Sequence, residues 1–444
     1  MKSATRLFVA LLLALAGLWL LADTLLPDPF GWFPFRGVFV QFSGAIAIGV
    51  MSMAMILAMR SRWLESRLNG LDKMYRLHKW LGITALVAAV SHWWFALGTK
   101  WMVGWGWLER PARGPRPEET LGLIEGFFRQ WRGFAESVGE WAFYIAAALM
   151  ILALVKRFPY HWFKKTHTLL ALGYLALVFH SVVLIKFEYW AQPIGWLLGL
   201  LMLGGSISGV LILAGQVGRS RKVKGHIEKV EAFPEMRTVA TTVLLDNGWD
   251  GHCAGQFAFL KTGEKEAPHP FTIASAWNPQ ERRLTFISKA LGDHTTRMLD
   301  ELRAGQAVTV EGPYGCFDFR DQQPRQVWIG AGIGITPFIA RMKELARDNN
   351  KPLVDLYHCV ADVDEKALEK LQEDARAAGI NLHLVVSGID ERLTAARIME
   401  QIRDWKNASF WFCGPTGFGK SLKRDMTNAG LDADLFHQEL FEMR

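Results

Sequence analysis

The sequence RLHKWLGITALVAAVSHWW, residues 76–94, decides the fold, because it is an apolar run long enough to cross a bilayer and it carries two histidines, His78 and His92. A second run, KKTHTLLALGYLALVFHSVV at residues 164–183, carries His167 and His180. Histidine is costly among lipid-facing side chains, and neutral imidazole is the commonest metal ligand. Two histidines in each of two apolar helices therefore predict a metal centre inside a membrane bundle.

The spacing of these histidines predicts two sites, one in each leaflet. His78 and His92 are 14 residues apart, which is roughly 21 Å along a helix, within a hydrocarbon core about 30 Å thick. His167 and His180 are 13 apart, so the two helices can present two facing pairs, and two haems with bis-histidine ligation account for both. A step of 13 turns the second histidine roughly 140° from the first. We therefore expect a kink or bulge, with Gly173 a candidate position, or tilted haem planes.

Composition and charge bound the class of protein. Half of the 444 residues are hydrophobic and 19 are Trp, which predicts a membrane portion joined to soluble domains. Residues 1–218 hold 20 Lys and Arg against 11 Asp and Glu, whereas residues 219–444 hold 30 against 32. The positive excess lies in the apolar half, so no nucleic-acid partner is expected. The four cysteines, all in the second half without paired spacing, indicate a reducing cytosol and no disulfides.

Six apolar stretches are long enough to span the bilayer. They lie at about 5–26, 37–59, 76–99, 137–156, 167–187 and 190–217. Residues 1–22 are also compatible with a signal peptide, but the absence of a clear small-x-small cleavage site favours a retained helix.

Lys and Arg crowd the connections after the second, fourth and sixth spans, at 60–76, 156–165 and 219–224. The positive-inside rule therefore places the N-terminus and the soluble domains in the cytoplasm of an integral membrane protein, which we assign to a bacterial inner membrane. The lipid bilayer is thus an expected partner. The outer connection 100–136 carries tryptophans typical of interfacial anchoring and a predicted amphipathic helix at 119–134.

After Gly218 the pattern changes to short alternating strands, which predicts a small antiparallel β-barrel. From about residue 324 strands and helices alternate, which predicts a parallel sheet of the Rossmann-like α/β class. We therefore predict a multidomain chain with three parts: an all-α transmembrane haem domain at 1–218, an antiparallel β-barrel at 219–322 and a Rossmann-like α/β domain at 323–444.

Five short motifs in this second half carry the chemistry. GAGIGITP (330–337) follows an apolar strand and precedes a helix, where glycines let the backbone approach a pyrophosphate. The others are HPFTIAS (269–275), GDHT (292–295), EGPYG (311–315) and CGP (413–415).

In their order along the chain, these motifs resemble those of the ferredoxin–NADP reductase superfamily. The resemblance implies that the barrel at 219–322 binds FAD and that the domain at 323–444 binds NAD(P). With six spans and paired histidines ahead of them, the chain is similar over nearly all its length to the ferric reductase and NADPH oxidase family of transmembrane flavocytochromes. The resemblance implies FAD, two haem b and NADH or NADPH as cofactors, with His78, His92, His167 and His180 as metal ligands. It assigns FAD and nucleotide binding to His269, Pro270, Phe271, Thr272, Ser275, Gly292, Thr295, Gly312, Gly315, Gly330, Gly332, Gly334, Thr336, Pro337, Gly414 and Pro415.

The resemblance also implies three catalytic positions. Thr272 would lie against the isoalloxazine, Cys413 near the hydride path, and Phe441 would cover the flavin until nicotinamide displaces it. Phe441 is alternatively a core anchor of the last strand. Asp362 and Asp364 follow the second strand of the nucleotide domain, and carboxylates there favour NADH over NADPH.

The implied function is an NAD(P)H-dependent ferric reductase or NAD(P)H oxidase. It would move electrons from cytosolic NAD(P)H through FAD and two haems to an outer acceptor, either a ferric chelate or oxygen, with superoxide as the product in the second case. In animal oxidases a histidine one turn beyond the outer ligand and an early arginine are associated with oxygen reduction; this chain offers Arg36 but has Ala96 at the other position. The alternative is a haem-bearing redox relay or sensor that serves a dedicated partner protein.

Overall fold

The computed structural model describes residues 2–109, 122–155, 157–263 and 266–439. The chain divides into two compact units, one ending at Val217 and the other beginning at Gly218. The first is helical and the second contains both β-sheets.

Six helices of the first unit are long and apolar enough to cross a membrane, which confirms the predicted number of spans. In the described residues the helices are α1 (Lys2–Ala22), α2 (Trp32–Ala58), α3 (Arg62–Arg67), α4 (Leu71–Trp93), α5 (Thr99–Gly104), α6 (Leu123–Leu154), α7 (Tyr160–Leu184) and α8 (Pro193–Leu213). The short α3 is not a span, and α4 continues into α5 through a π-helical segment, Trp94–Gly98. The prediction of a separate amphipathic helix at 119–134 is wrong, because these residues from Leu123 onward belong to α6.

Small residues allow the helices of the bundle to pack closely. In membranes the hydrophobic effect does not drive helices together, so close contact between small residues contributes to their association. An added Cβ at Gly205 of α8 would lie 2.1 Å from the Tyr174 hydroxyl oxygen of α7 and 3.1 Å from the Cα of Ser52 in α2. Leu15 and Trp19 of α1 are fully buried against the rest of the bundle.

The second unit begins with an antiparallel sheet in the order β4-β3-β6-β1-β2-β5. Its strands are β1 (Lys222–Phe233), β2 (Thr238–Leu245), β3 (Phe257–Lys261), β4 (His269–Thr272), β5 (Arg283–Lys289) and β6 (Ala307–Tyr314). The end strands meet only through an isolated bridge between Ile273 and Phe286. Among the described residues the strands of the predicted barrel therefore form an antiparallel sheet that does not close. A helix that was not predicted, α9 (Asp293–Glu301), precedes β6.

The parallel sheet follows in the order β11-β10-β7-β8-β9, with helices between the strands, as predicted. Its elements are β7 (Arg325–Ala331), α10 (Thr336–Leu345), β8 (Leu353–Val360), α11 (Glu365–Ala378), β9 (Asn381–Val386), α12 (Ala395–Gln401), β10 (Ala408–Cys413), α13 (Thr416–Asn428) and β11 (Phe436–Gln438). Buried aromatic side chains from both parts of the unit form one core, including Phe317, Phe319, Trp328, Phe338 and Trp411. This core supports the carboxyl ends of β7 and β10, where the nucleotide motifs lie.

Candidate redox site

The four predicted metal ligands lie in two facing pairs between α4 and α7. The ring centroids of His78 and His167 are 5.8 Å apart, and those of His92 and His180 are 6.3 Å apart. The ring planes in the two pairs are inclined at 68° and 83°. Metal–nitrogen bonds of about 2 Å on each side, with centroids roughly 1 Å further back, require a separation of about 6 Å. Each pair therefore leaves room for one metal ion between its imidazoles.

Hydrogen bonds that the rings donate to backbone carbonyls orient three of the four imidazoles. Nδ1 of His78 lies 2.9 Å from the carbonyl oxygen of Ala54, and Nδ1 of His92 lies 2.9 Å from that of Val40. His180 makes the equivalent contact at 2.8 Å. A carbonyl only accepts, so Nδ1 carries the proton and donates, which leaves the Nε2 lone pair for a metal.

The site fits haem rather than a bare ion. Among the described residues no group of three or more His, Cys, Asp or Glu side chains could hold a metal. Haem brings four nitrogen ligands of its own, so the protein would need to supply only two, which is the number of imidazoles in each pair. The outer pair also lines a cavity of about 620 Å³, within the range of cofactor sites. The wall of this cavity carries the cations Arg36, Lys100 and Arg132 and the carboxylates Glu136 and Glu140. Arg132 pairs with Glu136 at 3.2 Å, so Arg36 and Lys100 are the cations suited to carboxylate groups of a bound cofactor.

The 13-residue step on α7 is accommodated without a bulge at Gly173. The helix is α-helical from Tyr160 to Leu184, so it contains no bulge, and a kink at Gly173 stays a prediction. The two histidines instead use different neighbours. His167 stacks on Phe163 at 5.0 Å, whereas His180 leans on α6, where its Nδ1 donates to the carbonyl of Ala135. Side-chain direction, with inclined rings, absorbs the angular mismatch.

Arg36 stabilises the π-helical segment that follows His92. Its Nε donates to the carbonyl of Phe95 at 2.9 Å, and a terminal nitrogen donates to that of Ala96 at 2.7 Å. A π-helical turn leaves carbonyls without their usual α-helical partners. The guanidinium therefore provides donors to the backbone of α4 and also lines the outer cavity.

In the flavin motifs the structure brings together two histidines from separate segments. The rings of His269 on β4 and His294 on α9 stack with centroids 3.7 Å apart and planes 13° apart. Burial lowers the pKa of His294, so this stack contains a neutral imidazole at neutral pH. His294 was not among the predicted site residues, although its place inside GDHT was a usable signal.

The other predicted flavin residues lie nearby on the antiparallel sheet. Thr272 is buried at the end of β4 and pairs with Phe257 of β3. The Thr295 hydroxyl bonds the backbone of its own turn, accepting from the amide of Gly292 at 3.1 Å. The Ser275 hydroxyl accepts from the amide of Thr285 at 3.1 Å. Pro270 and Phe271 also belong to β4, while Gly312 lies within β6 and Gly315 directly follows it.

The predicted nucleotide loop lies where β7 and β10 end side by side. Gly330 pairs with Cys413, and a Cβ on Gly334 would lie 2.2 Å from the carbonyl oxygen of Cys413. A Cβ on Gly414 would lie 2.7 Å from the Cβ of Ala331. The loop then enters α10 at the predicted Thr336 and Pro337, after a turn in which Gly332 has a φ of 57°. Two glycines thus permit a close backbone approach, and a third permits the turn.

Cys413 is a buried thiol, with 1% of its surface exposed. Burial, with the nearby Glu439 carboxylate, raises the pKa of Cys413 well above its usual value. The thiol is therefore protonated at neutral pH. Phe441, the predicted flavin cover, lies outside the described residues.

A cleft of about 390 Å³ separates the antiparallel sheet from the parallel sheet, and Gly332, Asp362 and Asp364 line it. Asp364 caps α11 by accepting from the Ala367 amide at 3.0 Å. Its carboxylate is therefore committed to the helix, which leaves Asp362 as the carboxylate better placed for a ribose hydroxyl.

An ionic cluster that was not predicted from the sequence lies at this cleft. Glu231 of β1 lies 2.5 Å from Lys370 and 3.3 Å from Lys366, both on α11, and 3.3 Å from Lys229. Hydrogen bonds from Lys370 and the other lysines lower the pKa of Glu231 to about 2. The partners are 139 residues apart in the case of Lys370, so no local pattern could have paired them.

Comparison with known proteins supports both halves of the chain. The family described as ferric reductase like transmembrane component matches residues 43–178, which include three of the four facing histidines. The NADPH oxidoreductase of Mycobacterium tuberculosis is 27% identical over 52% of this chain and 63% of its own length. The stachydrine N-demethylase reductase subunit of Rhizobium meliloti is 31% identical over 43% of this chain and 58% of its own length. Respiratory burst oxidase homolog protein E of Arabidopsis thaliana is 27% identical over 44% of this chain and 22% of its own length. The chain spans less than two thirds of each of these relatives.

Proposed function

We propose that this chain, which joins a ferric reductase-like transmembrane domain to a ferredoxin reductase-like FAD/NAD-binding module, transfers electrons from cytosolic NAD(P)H across a bacterial inner membrane. FAD and two haems would be its carriers, and the acceptor would be a ferric chelate or oxygen on the outer face. The observation that carries the proposal is the presence of two facing imidazole pairs, at 5.8 and 6.3 Å, on one pair of membrane helices.

The residues of the chain would position and insulate these carriers. When bound, FAD accepts a hydride, and haem iron passes single electrons. His78 and His167 would hold the inner haem, and His92 and His180 the outer one. Three of these rings are supported by backbone carbonyls, which strengthens a histidine as a ligand and fixes its tautomer. The glycine loop at 330–334 would receive the nucleotide, and β4 would contact the flavin.

The arrangement favours release of electrons at the edge of the outer haem. Two histidines of the chain would hold each haem, so the residues present would leave no site at which an acceptor could bind iron. The π-helical segment carries Ala96, not a histidine, one turn beyond His92, so no further imidazole at that position would bind oxygen. We therefore favour a ferric chelate over oxygen as the physiological acceptor.

Anaerobic mixing of the purified full-length chain with NADH tests the proposal. We expect cytochrome absorption that NADH reduces, and sustained reduction of an added ferric chelate. H92A should retain an inner haem that NADH reduces but should lose chelate reduction, while H78A should prevent NADH from reducing the outer haem. H226A, a substitution of an exposed histidine in β1, is the matched control. Absence of cytochrome absorption, or its persistence when all four histidines become alanine, would refute the proposal.

A relay that serves a dedicated partner is the second candidate, and the likeness to a reductase subunit favours it. A relay would show one stoichiometric reduction of its haems by NADH and negligible turnover with soluble acceptors. Sustained turnover with oxygen or a ferric chelate, added separately after anaerobic reduction, would exclude this candidate. The faster of the two acceptors would identify the class of reaction.

A further inference from the structure

The outer imidazole on α7 rests on a bare stretch of helix backbone. Nδ1 of His180 lies 2.8 Å from the carbonyl oxygen of Ala135, and the residue four positions later in α6 is Gly139. A Cβ added to Gly139 would lie 1.9 Å from that same Nδ1 and 2.4 Å from the ring carbon Cε1. The ring therefore occupies the space that a side chain at position 139 would take.

The outer imidazole on α4 rests on the same arrangement in another helix. Nδ1 of His92 lies 2.9 Å from the carbonyl oxygen of Val40, and four positions later in α2 is Gly44. A Cβ added to Gly44 would lie 3.1 Å from Cε1 of His92 and 3.2 Å from Nδ1. We call each combination of carbonyl acceptor and following glycine a carbonyl–glycine seat.

Helix geometry explains why the glycine follows its carbonyl by four residues. The Cα–Cβ bond of a helical residue tilts toward the N-terminus, so a side chain covers the turn before its own Cα. A side chain at position i+4 thus projects over the carbonyl of residue i. An imidazole that donates to that carbonyl with its ring against the helix needs this position empty.

The inner pair lacks this arrangement. His78 donates to the carbonyl of Ala54, and the residue four positions later is Ala58, the last residue of α2, so a Cβ is accommodated there. Within the described part of the chain, the buried Nδ1 of His167 has no hydrogen-bond partner. Two seats thus orient both outer rings, whereas one ordinary hydrogen bond orients the inner pair.

We infer that Gly139 and Gly44 are positioning residues for the outer haem, because their missing side chains fix the positions and tautomers of His180 and His92. This inference rests on the proposed function, which supplies the haems. It predicts that alanine at either position affects the outer haem and spares the inner one. The effect should be severe at Gly139, where overlap is large, and mild at Gly44, where the neighbour must yield by only a few tenths of an ångström.

Haem content and redox titration of the purified full-length chain test the inference. G126A on α6 and G17A on α1 are controls, because a Cβ there meets no atom within 4 Å and neither residue is among those that line the outer cavity. We expect two haems per chain in the wild type and both controls, and about one in G139A. G44A should keep both haems, with the midpoint potential of one component shifted.

The outcomes separate this inference from the proposed function. A wild-type chain without haem refutes the proposed function. A wild type with two haems and a G139A variant with the same two haems and unchanged potentials overturns the inference alone. Bound FAD reports folding of the second unit; if G139A loses haem and FAD together, G44A decides, and unshifted potentials in G44A overturn the inference.

Discussion

Substitution of Gly334 by alanine should slow the reduction of FAD by NADH while leaving the membrane unit intact. In the structure, the added Cβ lies 2.2 Å from the carbonyl oxygen of Cys413 and 3.0 Å from the amide nitrogen of Gly414. Ordinary heavy-atom contacts begin near about 3.5 Å. The loop after β7 and the end of β10 must therefore separate by roughly 1 Å.

The cost of this separation can be bounded. Overpacking of this kind typically costs about 1–3 kcal/mol, which the folded unit should survive. A displacement of about 1 Å at a substrate site lowers the rate of reaction by up to roughly 100-fold. We therefore expect NADH-dependent reduction of bound FAD to fall between about 10-fold and 100-fold in G334A.

Rapid mixing with NADH under anaerobic conditions, followed at the flavin absorption band, measures this rate. Dithionite reduction of the same sample reports the haems, which should be unchanged because Gly334 lies in the second unit. G417A is the control, since a Cβ at that position of α13 meets no atom within 4 Å. A G334A variant that reduces FAD as fast as G417A and the wild type would show that the close approach of the two loops has no role in nucleotide binding.

Three further substitutions test the second unit. In H294A the stack on His269 is lost, so the dissociation constant for FAD should rise about 2-fold to 10-fold, as expected for an aromatic pair worth about 0.5–1.5 kcal/mol. H294F should restore the wild-type affinity. Equal FAD affinity in all three proteins would contradict this prediction. Lysines lower the pKa of Glu231 from its usual 4.5 to about 2, so the ionised carboxylate stabilises the unit above a pH of about 4.5, and this stabilisation is lost as the pH falls toward 2. The FAD-release temperature of E231Q should therefore fall less than that of the wild type on acidification from pH 6 to pH 4. Parallel pH profiles of the two proteins would contradict this prediction. In D364A the cap of α11 is lost, which should lower the free energy of unfolding by about 1 kcal/mol. The ratio of NADH turnover to NADPH turnover should not change. A change in that ratio would show that Asp364 contacts the ribose.

The parts of the fold that were predictable are those in which one local pattern decides the structure. Run length located all six spans, because about 20 apolar residues are needed to cross a bilayer. It did not locate the start of α6, which begins at Leu123, well before the predicted span at 137, because hydropathy marks the lipid-facing part of a helix rather than its end. Alternation predicted the strands of the antiparallel sheet but not their order, since β4 and β5 are end strands chosen by long-range pairing.

The candidate site divides in the same way. The four histidines were identifiable from type and spacing, and the structure pairs them as expected. Their supporting carbonyls were not identifiable, because every residue has one and only the packing of α2 and α6 selects which carbonyls face an imidazole. The pairing of Glu231 with α11 likewise depends on two elements more than 100 residues apart. Asp364 was assigned to the ribose from its position alone, although its position before a helix also suited a cap.

The π-helical segment after His92 gives Arg36 a role in helix register. A π turn holds one more residue than an α turn, so its collapse into regular helix would rotate everything beyond it by roughly 100°. Trp101 of α5, whose ring now lies 5.5 Å from that of Trp93 and 6.1 Å from that of Trp94, would then swing away from both. By donating to the carbonyls of Phe95 and Ala96, a single guanidinium on α2 holds the π-helical segment and so keeps Trp101 of α5 against the two tryptophans that follow His92.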